Sequence, residues 1–295
     1  MTIQLIVMRY PKVSIVIPIH NRIGYTIKCL DSLKKVEYPY YTIIIVDDGS
    51  TDGSWETISI RYPYVRLLKG DGTLWWAGAT NLGIKYAIEK GTDFILTLNN
   101  DVIVHEKFLS ELVKCALENP DSLIGSKIMF LNQPERVFSA GGIINWHKRG
   151  LYMRCGKDCD QFAKRCEVDW LTGMSVLIPK KVFDIIGYYD DKNFPQYTAD
   201  AEFSMRAKKN GFRLIYEPRS LVWNAGVEDV TEQQDVKTII KDLFSIKSPA
   251  DIRRKVKLYI KYCPKHLILN SLIKYYAAYF KGCFVAMYSQ RVRKE

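Results

Sequence analysis

The first hundred residues alternate four times between a short apolar run and a longer polar or amphipathic segment. A chain with this alternation forms parallel strands joined by crossover helices that cover both faces of the sheet. The pattern therefore predicts an α/β fold with a mostly parallel sheet. Strands are expected at 13–17, 42–46, 65–68 and 94–98, and helices at 25–35, 53–60 and 77–90.

Polar side chains follow three of these strands at the point where each strand ends. Ligands of such sheets bind beyond the carboxyl ends of the strands. We therefore expect the three clusters, which lie on separate loops, to converge on one crevice. The clusters are His20-Asn21-Arg22, Asp47-Asp48 and Asn99-Asn100-Asp101.

The carboxylates of these clusters allow two interpretations each. Asp47 and Asp48 can accept hydrogen bonds from a base N–H or from ribose hydroxyls, or can belong to a turn that precedes a capped helix. Asp101 can hold Mg²⁺ or Mn²⁺, which in turn binds a diphosphate, or can belong to a plain turn. A single carboxylate is compatible with a Mg²⁺ site, because phosphates can supply other ligands.

The glycine-rich stretch GDGTLWWAGATNLG at 70–83 lets the backbone approach a ligand closely. The helix that begins near Ala77 offers free N–H groups to an anion. The indoles of Trp75 and Trp76 fit either a sugar site or the core.

A second candidate group lies at the start of a helix predicted at 201–210. Asp200 can act as a general base at the edge of a cleft or as a helix cap. Glu202 and Arg206 are four residues apart, so they can form an ion pair on one face of this helix.

After residue 120 the rhythm changes to short strands, and from 236 onwards helical patterns dominate among many Lys and Arg residues. We expect a domain at 1–235, with halves at about 12–120 and 121–235, and a basic helical extension at 236–295. The later strands are expected at 123–129, 142–145, 175–178, 213–216 and 221–223.

The net charge of +11 is compatible with nucleic acid, an anionic membrane or phosphorylated substrates as partners. No nucleic-acid motif is present, so no nucleic-acid partner is expected. The extension can dock on an anionic membrane or pack as a solvated basic face. Seven cysteines without a paired framework, and no apolar run of the ~18 residues that span a bilayer, favour a cytoplasmic protein. Peripheral attachment to the inner face of the cytoplasmic membrane is the alternative location.

Six motifs in order resemble the family 2 glycosyltransferases, whose GT-A fold has a Rossmann-like nucleotide-binding sheet. The resemblance covers about residues 12–225. WWAGATNLGI and the later LFSIKSP look most like bacterial rhamnosyltransferases that build surface polysaccharides. The motifs are VSIVIPIHNR, VDDGSTDGS, WWAGATNLGI, LTLNND, WLTGMSVLIPKKVF and YTADAEFSMRAKKNGF.

The resemblance implies a role for each matching position. Asp200 corresponds to the catalytic base and Asp101 to the metal ligand, with Asn224 as a second, tentative ligand of a Mg²⁺ or Mn²⁺ cofactor. Trp170, Glu202 and Arg206 are expected on the acceptor side or in support of it. The donor nucleotide, diphosphate and sugar are expected to contact Pro18, His20, Asn21, Arg22, Asp47, Asp48, Trp76, Gly78, Asn81, Asn99, Asn100, Thr172 and Gly173.

Two positions depart from the family pattern. Ala199 stands where an acidic residue often precedes the base, and Asn224 stands where a histidine often follows the last core strand. The implied reaction is inverting transfer from dTDP-rhamnose or a UDP-linked hexose to a saccharide or a lipid-linked saccharide. A nucleotidyltransferase remains an alternative, although its glycine- and lysine-rich signature is absent from PIHNRIG, and so does an inactive transferase homologue.

Overall fold

The computed structural model of the chain describes residues 10–226 and 235–292. The predicted alternation of strands and helices is present in the first half. Its strands are β1 (Val13–Ile19), β2 (Tyr41–Asp47), β3 (Arg66–Lys69), β4 (Phe94–Leu98) and β5 (Val102–Val104). Its helices are α1 (Ile23–Leu33), α2 (Ser54–Arg61), α3 (Trp75–Glu89) and α4 (Phe108–Glu118).

The second half begins with a series of shorter strands and ends in helices. The strands are β6 (Ser122–Phe130), β7 (Arg136–Ser139), β8 (Gly142–Asn145), β9 (Gly150–Met153), β10 (Gly156–Lys157), β11 (Cys166–Glu167), β12 (Ser175–Pro179) and β13 (Arg213–Asn224). The helices are α5 (Lys180–Ile186), α6 (Ala199–Lys209), α7 (Val236–Phe244), α8 (Ile252–Tyr262) and α9 (Ile268–Val292).

One continuous sheet joins the two halves, in the order β3-β2-β1-β4-β12-β6-β7-β10. Strands β1 to β4 pair in parallel, as the sequence predicted. Strand β12 lies between β4 and β6 and runs antiparallel to both. The parallel strands therefore end at one edge of the sheet, and the polar clusters that follow them share that edge.

Strand β13 corrects one sequence-based expectation. The two strands expected at 213–216 and 221–223 are a single strand that pairs in parallel with β6. Its register shifts between Glu217 and Leu221, which is the irregularity that made the pattern look interrupted. Beyond this shift β13 also pairs with β5, which places Asn224 opposite Val102, the residue after Asp101.

Helices cover both faces of the sheet because alternate side chains of each central strand point to opposite sides. Val16 of β1 belongs to one buried cluster together with Ile84 of α3. Ile15 belongs to the cluster on the other face, together with Leu30 of α1 and Leu112 of α4. Burial of each such side chain contributes roughly 1.5–3 kcal/mol, so these two layers fix the strand ends in place.

The last helices pack against the second half of the sheet domain. On α8, the hydroxyl of Tyr259 donates a 2.6 Å hydrogen bond to the carbonyl of Arg149. Lys261 and Tyr262 each donate a 2.8 Å hydrogen bond to Oε1 of Glu202 on α6. Across residues 10–226 and 235–292, none of the helices combines the length and apolar composition of a bilayer-spanning segment. The domain division drawn from the sequence stays a prediction.

Candidate active site

Two adjoining pockets open beyond the carboxyl ends of β1, β2 and β4. The first, here called the Asp101 pocket, has a volume of about 390 Å³ and contains polar residues from all three strand ends. The second, the Asp200 pocket, has a volume of about 360 Å³. Four residues line both pockets and form the boundary between them: Trp76, Asn99, Gln196 and Tyr197.

The end of β1 supplies Pro18 to the Asp101 pocket, and the loop after β1 supplies His20 and Arg22. Nδ1 of His20 lies 2.7 Å from the carbonyl oxygen of Asp48, which ties this loop to the end of β2. Asn21 adopts a φ of 59°, and its Oδ1 accepts a 2.8 Å hydrogen bond from the N–H of Thr51. Asn21 therefore joins the loop after β1 to the loop after β2, outside the pocket lining, whereas Pro18, His20 and Arg22 line the pocket.

The adjacent carboxylates of Asp47 and Asp48 bind different parts of the backbone. Oδ1 of Asp47 accepts a 2.8 Å hydrogen bond from the N–H of Ser50 and so closes its own turn. Asp48 accepts from the N–H of Gly72 at 2.8 Å and from the N–H of Trp75 at 2.9 Å. Asp48 lines the pocket and fixes the glycine-rich loop, including the left-handed backbone of Trp75 with its φ of 58°.

Asp101 is the carboxylate that fits a cation. Its Oδ1 is buried and has no hydrogen-bond partner among the described residues, while its Oδ2 lies 3.6 Å from a guanidinium nitrogen of Arg22. Burial raises the pKa of the Asp101 carboxyl, and the charge of Arg22 opposes that shift. A buried carboxylate oxygen without a donor is costly unless a ligand satisfies it. The described residues hold no cluster of three His, Cys, Asp or Glu side chains, so the remaining ligands would come from phosphates and amide oxygens.

The asparagines around Asp101 have defined partners. Oδ1 of Asn99 accepts a 3.0 Å hydrogen bond from Nε1 of Trp76, and Asn100 donates at 2.9 Å to the hydroxyl of Thr26. Asn224 lies beside Asp101 through the pairing of β13 with β5, and its Oδ1 accepts from the N–H of Gly226 at 2.9 Å.

Asp200 lies at the start of α6 and lines the second pocket together with Trp170 and Thr172. Its Oδ2 accepts a 3.0 Å hydrogen bond from the N–H of Gly173, and its Oδ1 accepts a 2.8 Å bond from the N–H of Ala201. Burial raises the pKa of the Asp200 carboxyl although both N–H groups act in the opposite direction. A carboxylate of raised basicity facing a pocket is suited to accept a proton.

Trp76 separates the two pockets, and its position depends on a glycine. Its backbone N–H donates at 3.0 Å to Oε1 of Gln196, and its ring lies over Gly173. A Cβ atom at Gly173 would lie 2.5 Å from this ring and 3.4 Å from the Cβ of Asp200. The glycine therefore allows the indole and the carboxylate to approach each other.

Seven residues that the sequence assigned to the site lie outside the residues that line the two pockets. They are Asn21, Asp47 and Asn224, whose partners are given above, and Gly78, Asn81, Glu202 and Arg206. The amide of Asn81 is buried, donates to the carbonyl of Tyr189 at 2.9 Å and accepts from its N–H at 3.0 Å. Gly78 lies on the same helix with its Cα facing Leu74. Glu202 and Arg206 form a buried ion pair with two 3.0 Å bonds. These residues hold the surrounding elements, and their predicted contacts with substrate stay predictions.

The structure adds residues that the sequence reasoning did not assign. Gln196 and Tyr197 precede α6 and line both pockets. Lys247, from the segment between α7 and α8, lines the Asp101 pocket, and Lys255 of α8 lines the Asp200 pocket. The motif LFSIKSP contains Lys247 and could have identified it as a site residue. Lys255 lies on a lysine-rich helix, and no sequence pattern distinguishes it from its neighbours.

A mostly parallel sheet with pockets beyond the carboxyl ends of its strands places the chain in the class of α/β proteins that bind their ligands at this edge of the sheet. The family described as Glycosyl transferase family 2 matches residues 14–172, which is more than half of the chain. The chain therefore belongs to this family, and the resemblance seen in the sequence is confirmed.

Curated relatives of this chain carry glycosyltransferase names. Glycosyltransferase GlyG of Streptococcus pneumoniae is 35% identical over 118 residues, covering 39% of this chain and 38% of that protein. The dTDP-rhamnosyl transferase RfbF of Shigella flexneri is 27% identical over 142 residues, covering 48% and 46%. The poly-beta-1,6-N-acetyl-D-glucosamine synthase of Staphylococcus epidermidis is 25% identical over 202 residues, covering 66% and 45%. The matched segments span less than half the length of each of these relatives.

Solved structures confirm the GT-A fold. GalNAc-T7 with UDP, GalNAc and Mn²⁺ superposes with a TM-score of 0.60 at 16% identity, covering 74% of this chain and 44% of that one. The mannosyltransferase PcManGT of Pyrobaculum calidifontis, in complex with GDP-Man and Mn²⁺, has a TM-score of 0.56 at 15% identity, covering 92% and 74%. The TarS 1–349 structure from S. aureus has a TM-score of 0.55 at 16% identity, covering 89% and 70%.

Proposed function

We propose that the chain transfers a sugar, with inversion, from a nucleotide diphosphate donor to a hydroxyl of a saccharide or lipid-linked saccharide. The observation that carries this proposal is the arrangement of two carboxylates, Asp101 and Asp200, in adjoining pockets on either side of Trp76. One pocket suits the charged leaving group and the other suits a proton acceptor, so a sugar bound at the boundary is reached from both.

The donor diphosphate would bind in the Asp101 pocket. Arg22 and Lys247 bring positive charge to this pocket from opposite ends of the chain, and both line it directly. Cationic side chains neutralise the charge that develops on a departing phosphate. The similarity to the Shigella protein named a dTDP-rhamnosyl transferase supports dTDP-rhamnose as the first donor to test, with UDP-hexoses next.

A divalent cation, Mg²⁺ or Mn²⁺, would be held by Oδ1 of Asp101, with Asn224 adjacent. When bound, such an ion neutralises the leaving diphosphate as a Lewis acid. The similar structures of GalNAc-T7 and PcManGT are complexes with Mn²⁺, which supports this assignment. The side chain of Arg22, 3.6 Å from the other oxygen of Asp101, holds that carboxylate towards the pocket.

Asp200 would accept the proton of the attacking hydroxyl. The acceptor oxygen forms its bond to the anomeric carbon while the bond to the diphosphate oxygen breaks, and the hydroxyl proton passes to Asp200. A single displacement of this kind inverts the anomeric configuration. Both oxygens of Asp200 already accept one backbone N–H each, which fixes the direction of the carboxylate towards the pocket.

The test is the Asp200→Asn variant, which keeps the size of the side chain but removes the proton-accepting charge. We expect transfer to fall by about 10²–10⁴-fold, measured as nucleotide release with dTDP-rhamnose and UDP-sugars in Mn²⁺. Binding of the nucleoside diphosphate, followed by calorimetry, should remain within about twofold, since Asp200 does not line the donor pocket. Asp184→Asn, on an exposed pair with Lys180, is the matched control. Turnover at the wild-type rate in Asp200→Asn would contradict the assignment.

A second proposal concerns location: the extension docks on an anionic membrane surface, where a lipid-linked acceptor resides. Three apolar residues of α7, Val236, Ile240 and Phe244, recur every four residues and are each more than half exposed. Exposed lysines alternate with them, including Lys237 and Lys241. An apolar stripe beside basic residues is typical of helices that lie in the membrane interface.

Removal of the whole extension would also remove pocket residues, so substitutions give the cleaner test. We expect Ile240→Glu/Phe244→Glu to abolish flotation of the full chain with vesicles rich in phosphatidylglycerol. Ile260→Glu, on the exposed side of α8, is the matched control and should float like wild type. Equal flotation of all three proteins would defeat the docking proposal.

A further inference from the structure

The Asp200 pocket contains a lysine that the proposed reaction does not use. Lys255 is only 7% exposed and lines the pocket alongside Asp200. It comes from α8, whereas Asp200 lies in the first turn of α6, so the two charges are brought together by the docking of the extension. Three hydrogen bonds hold α8 in this position: two go to Glu202 of α6, and one goes to the carbonyl of Arg149.

Lys255 lines the same pocket as Asp200, and its charge interacts with that carboxylate. Its ammonium nitrogen lies 4.3 Å from the centroid of the Tyr275 ring, which is an attractive but uncharged partner. Burial lowers the pKa of Lys255 to about 8, and Asp200 is the charged group that acts against this shift among the residues the structure describes. The charge of Asp200 therefore favours the protonated form of Lys255.

Burial shifts the pKa of Asp200 in the opposite direction to that of Lys255. The neighbours of Asp200 are the N–H groups of Gly173 and Ala201, the buried phenol of Tyr189 and the ammonium of Lys255. Burial favours the protonated acid, and the backbone N–H groups of Gly173 and Ala201 oppose it. Lys255 adds a full positive charge that acts in the same direction as those N–H groups. A protonated Asp200 could not accept the proton of an acceptor hydroxyl.

We propose that Lys255 is a positioning residue for the proton transfer: its ammonium keeps the carboxylate of Asp200 ionised inside the pocket. The inference rests on the proposed function of Asp200 as a base. It also assigns the extension a part in the chemistry, because the helix that carries Lys255 lies outside the segment that matches the family.

The experiment measures the ionisation of Asp200 directly. Aspartate labelled with ¹³C at the carboxyl carbon is titrated by NMR, and the Asp200 signal is assigned by its loss in Asp200→Asn. The variants are Lys255→Met, Lys255→Gln and Lys255→Arg, with Lys257→Met as a control on the exposed side of the same helix, where Lys257 binds Asn193. Lys255→Gln keeps a polar end and serves if the methionine variant does not fold.

We expect the titration midpoint of Asp200 to rise by about one to two pH units in Lys255→Met and Lys255→Gln. Lys255→Arg and Lys257→Met should leave it close to the wild-type value. The acid limb of the pH–rate profile should move by the same amount in the same variants. An unchanged Asp200 midpoint in Lys255→Met and Lys255→Gln would overturn the proposal.

The two claims fail in different ways. If the midpoint moves as expected but Asp200→Asn retains turnover, the electrostatic coupling exists and the assignment of Asp200 as the base is wrong. If Asp200→Asn is inactive and Lys255→Met leaves the midpoint unchanged, the base stands and the role of Lys255 is wrong.

Discussion

The backbone N–H of Gly173, in the loop between β11 and β12, donates a 3.0 Å hydrogen bond to Oδ2 of Asp200 on α6. The same glycine faces Trp76, so close that a Cβ atom would lie 2.5 Å from the indole ring. Gly173 thus orients the Asp200 carboxylate and leaves room for the Trp76 ring, which borders both pockets. The geometry of the site depends on the lack of a side chain at this position.

Gly173→Ala should therefore lower the rate of transfer strongly and the stability of the fold only moderately. The added methyl group must displace the ring of Trp76 or the Gly173–Asp200 bond, and overpacking of this kind costs about 1–3 kcal/mol in unfolding free energy. A shift of about 1 Å at a reacting group costs about 10²-fold in rate, and we expect a loss of that order in kcat. The measurements are urea unfolding and nucleotide release. Gly282→Ala on α9, where a Cβ meets no atom within 4 Å, should be active; equal activity of the two variants would contradict the account.

The strand ends could be predicted from sequence because the signal is local. Each apolar run predicts a strand, and polar residues follow each run. Because the strands are parallel and joined by crossover helices, their carboxyl ends lie at the same edge of the sheet. Asp101 and Asp48 were found in this way, and both line the pocket that the sequence anticipated. The first half of the site followed from periodicity and topology without knowledge of any side-chain contact.

The second half of the site depends on contacts that no local pattern encodes. Asn81 matched a motif, but its amide binds the backbone of Tyr189, 108 residues away in sequence. Lys255 lines the pocket of Asp200 only because α8 docks on α6 through Glu202. The sequence of the basic extension predicts a membrane-docking or a solvated face, since a lysine-rich sequence does not reveal which lysine is buried.

Glu202 provides a test of how the extension is attached. It is fully buried, and although burial alone would raise its pKa, hydrogen bonds from Arg206, Lys261 and Tyr262 hold the pKa below its usual range. Glu202→Gln leaves Arg206 partly buried without a counter-charge, which should lower the unfolding free energy at pH 7 by about 3 kcal/mol. The measurement is urea unfolding, with exposed Glu56→Gln of α2 as the control.

The pH dependence of this difference has a defined sign. Because the folded pKa of Glu202 lies below the unfolded value of 4.5, the charged form contributes stability that is fully present above that value. This contribution is lost as the pH falls through the folded pKa. The difference in unfolding free energy between wild type and Glu202→Gln should therefore become smaller as the pH falls from 5 into the acid range. A difference that stays constant would show that the loss of stability in the variant has another cause.

Lys247 tests the cationic side of the donor pocket. Its ammonium lies 5.8 Å from the ring centroid of Trp75, and the residue lines the Asp101 pocket from the extension. Exposed charge pairs are worth up to about 1 kcal/mol, so Lys247→Ala should weaken binding of UDP or dTDP by about fivefold. The loss should be greatest at low salt, because screening already weakens the contact at high salt. Lys241→Ala, exposed on α7, is the calorimetric control, and equal affinities in both variants would remove Lys247 from the site.

Asp101 tests the cation. Among the residues that the structure describes, its Oδ1 has no hydrogen-bond partner, and a metal ion would satisfy this oxygen. Asp101→Asn should therefore weaken Mn²⁺ binding in the presence of UDP or dTDP, measured by the electron paramagnetic resonance of free Mn²⁺. Loss of charge neutralisation on the leaving diphosphate should lower the transfer rate by about 10²–10³-fold. Asp160→Asn, exposed in a short 3₁₀ turn, should bind Mn²⁺ like wild type. EDTA should stop wild-type turnover and added Mn²⁺ should restore it, whereas full activity of Asp101→Ala in excess EDTA would show that Arg22 and Lys247 neutralise the diphosphate without an ion.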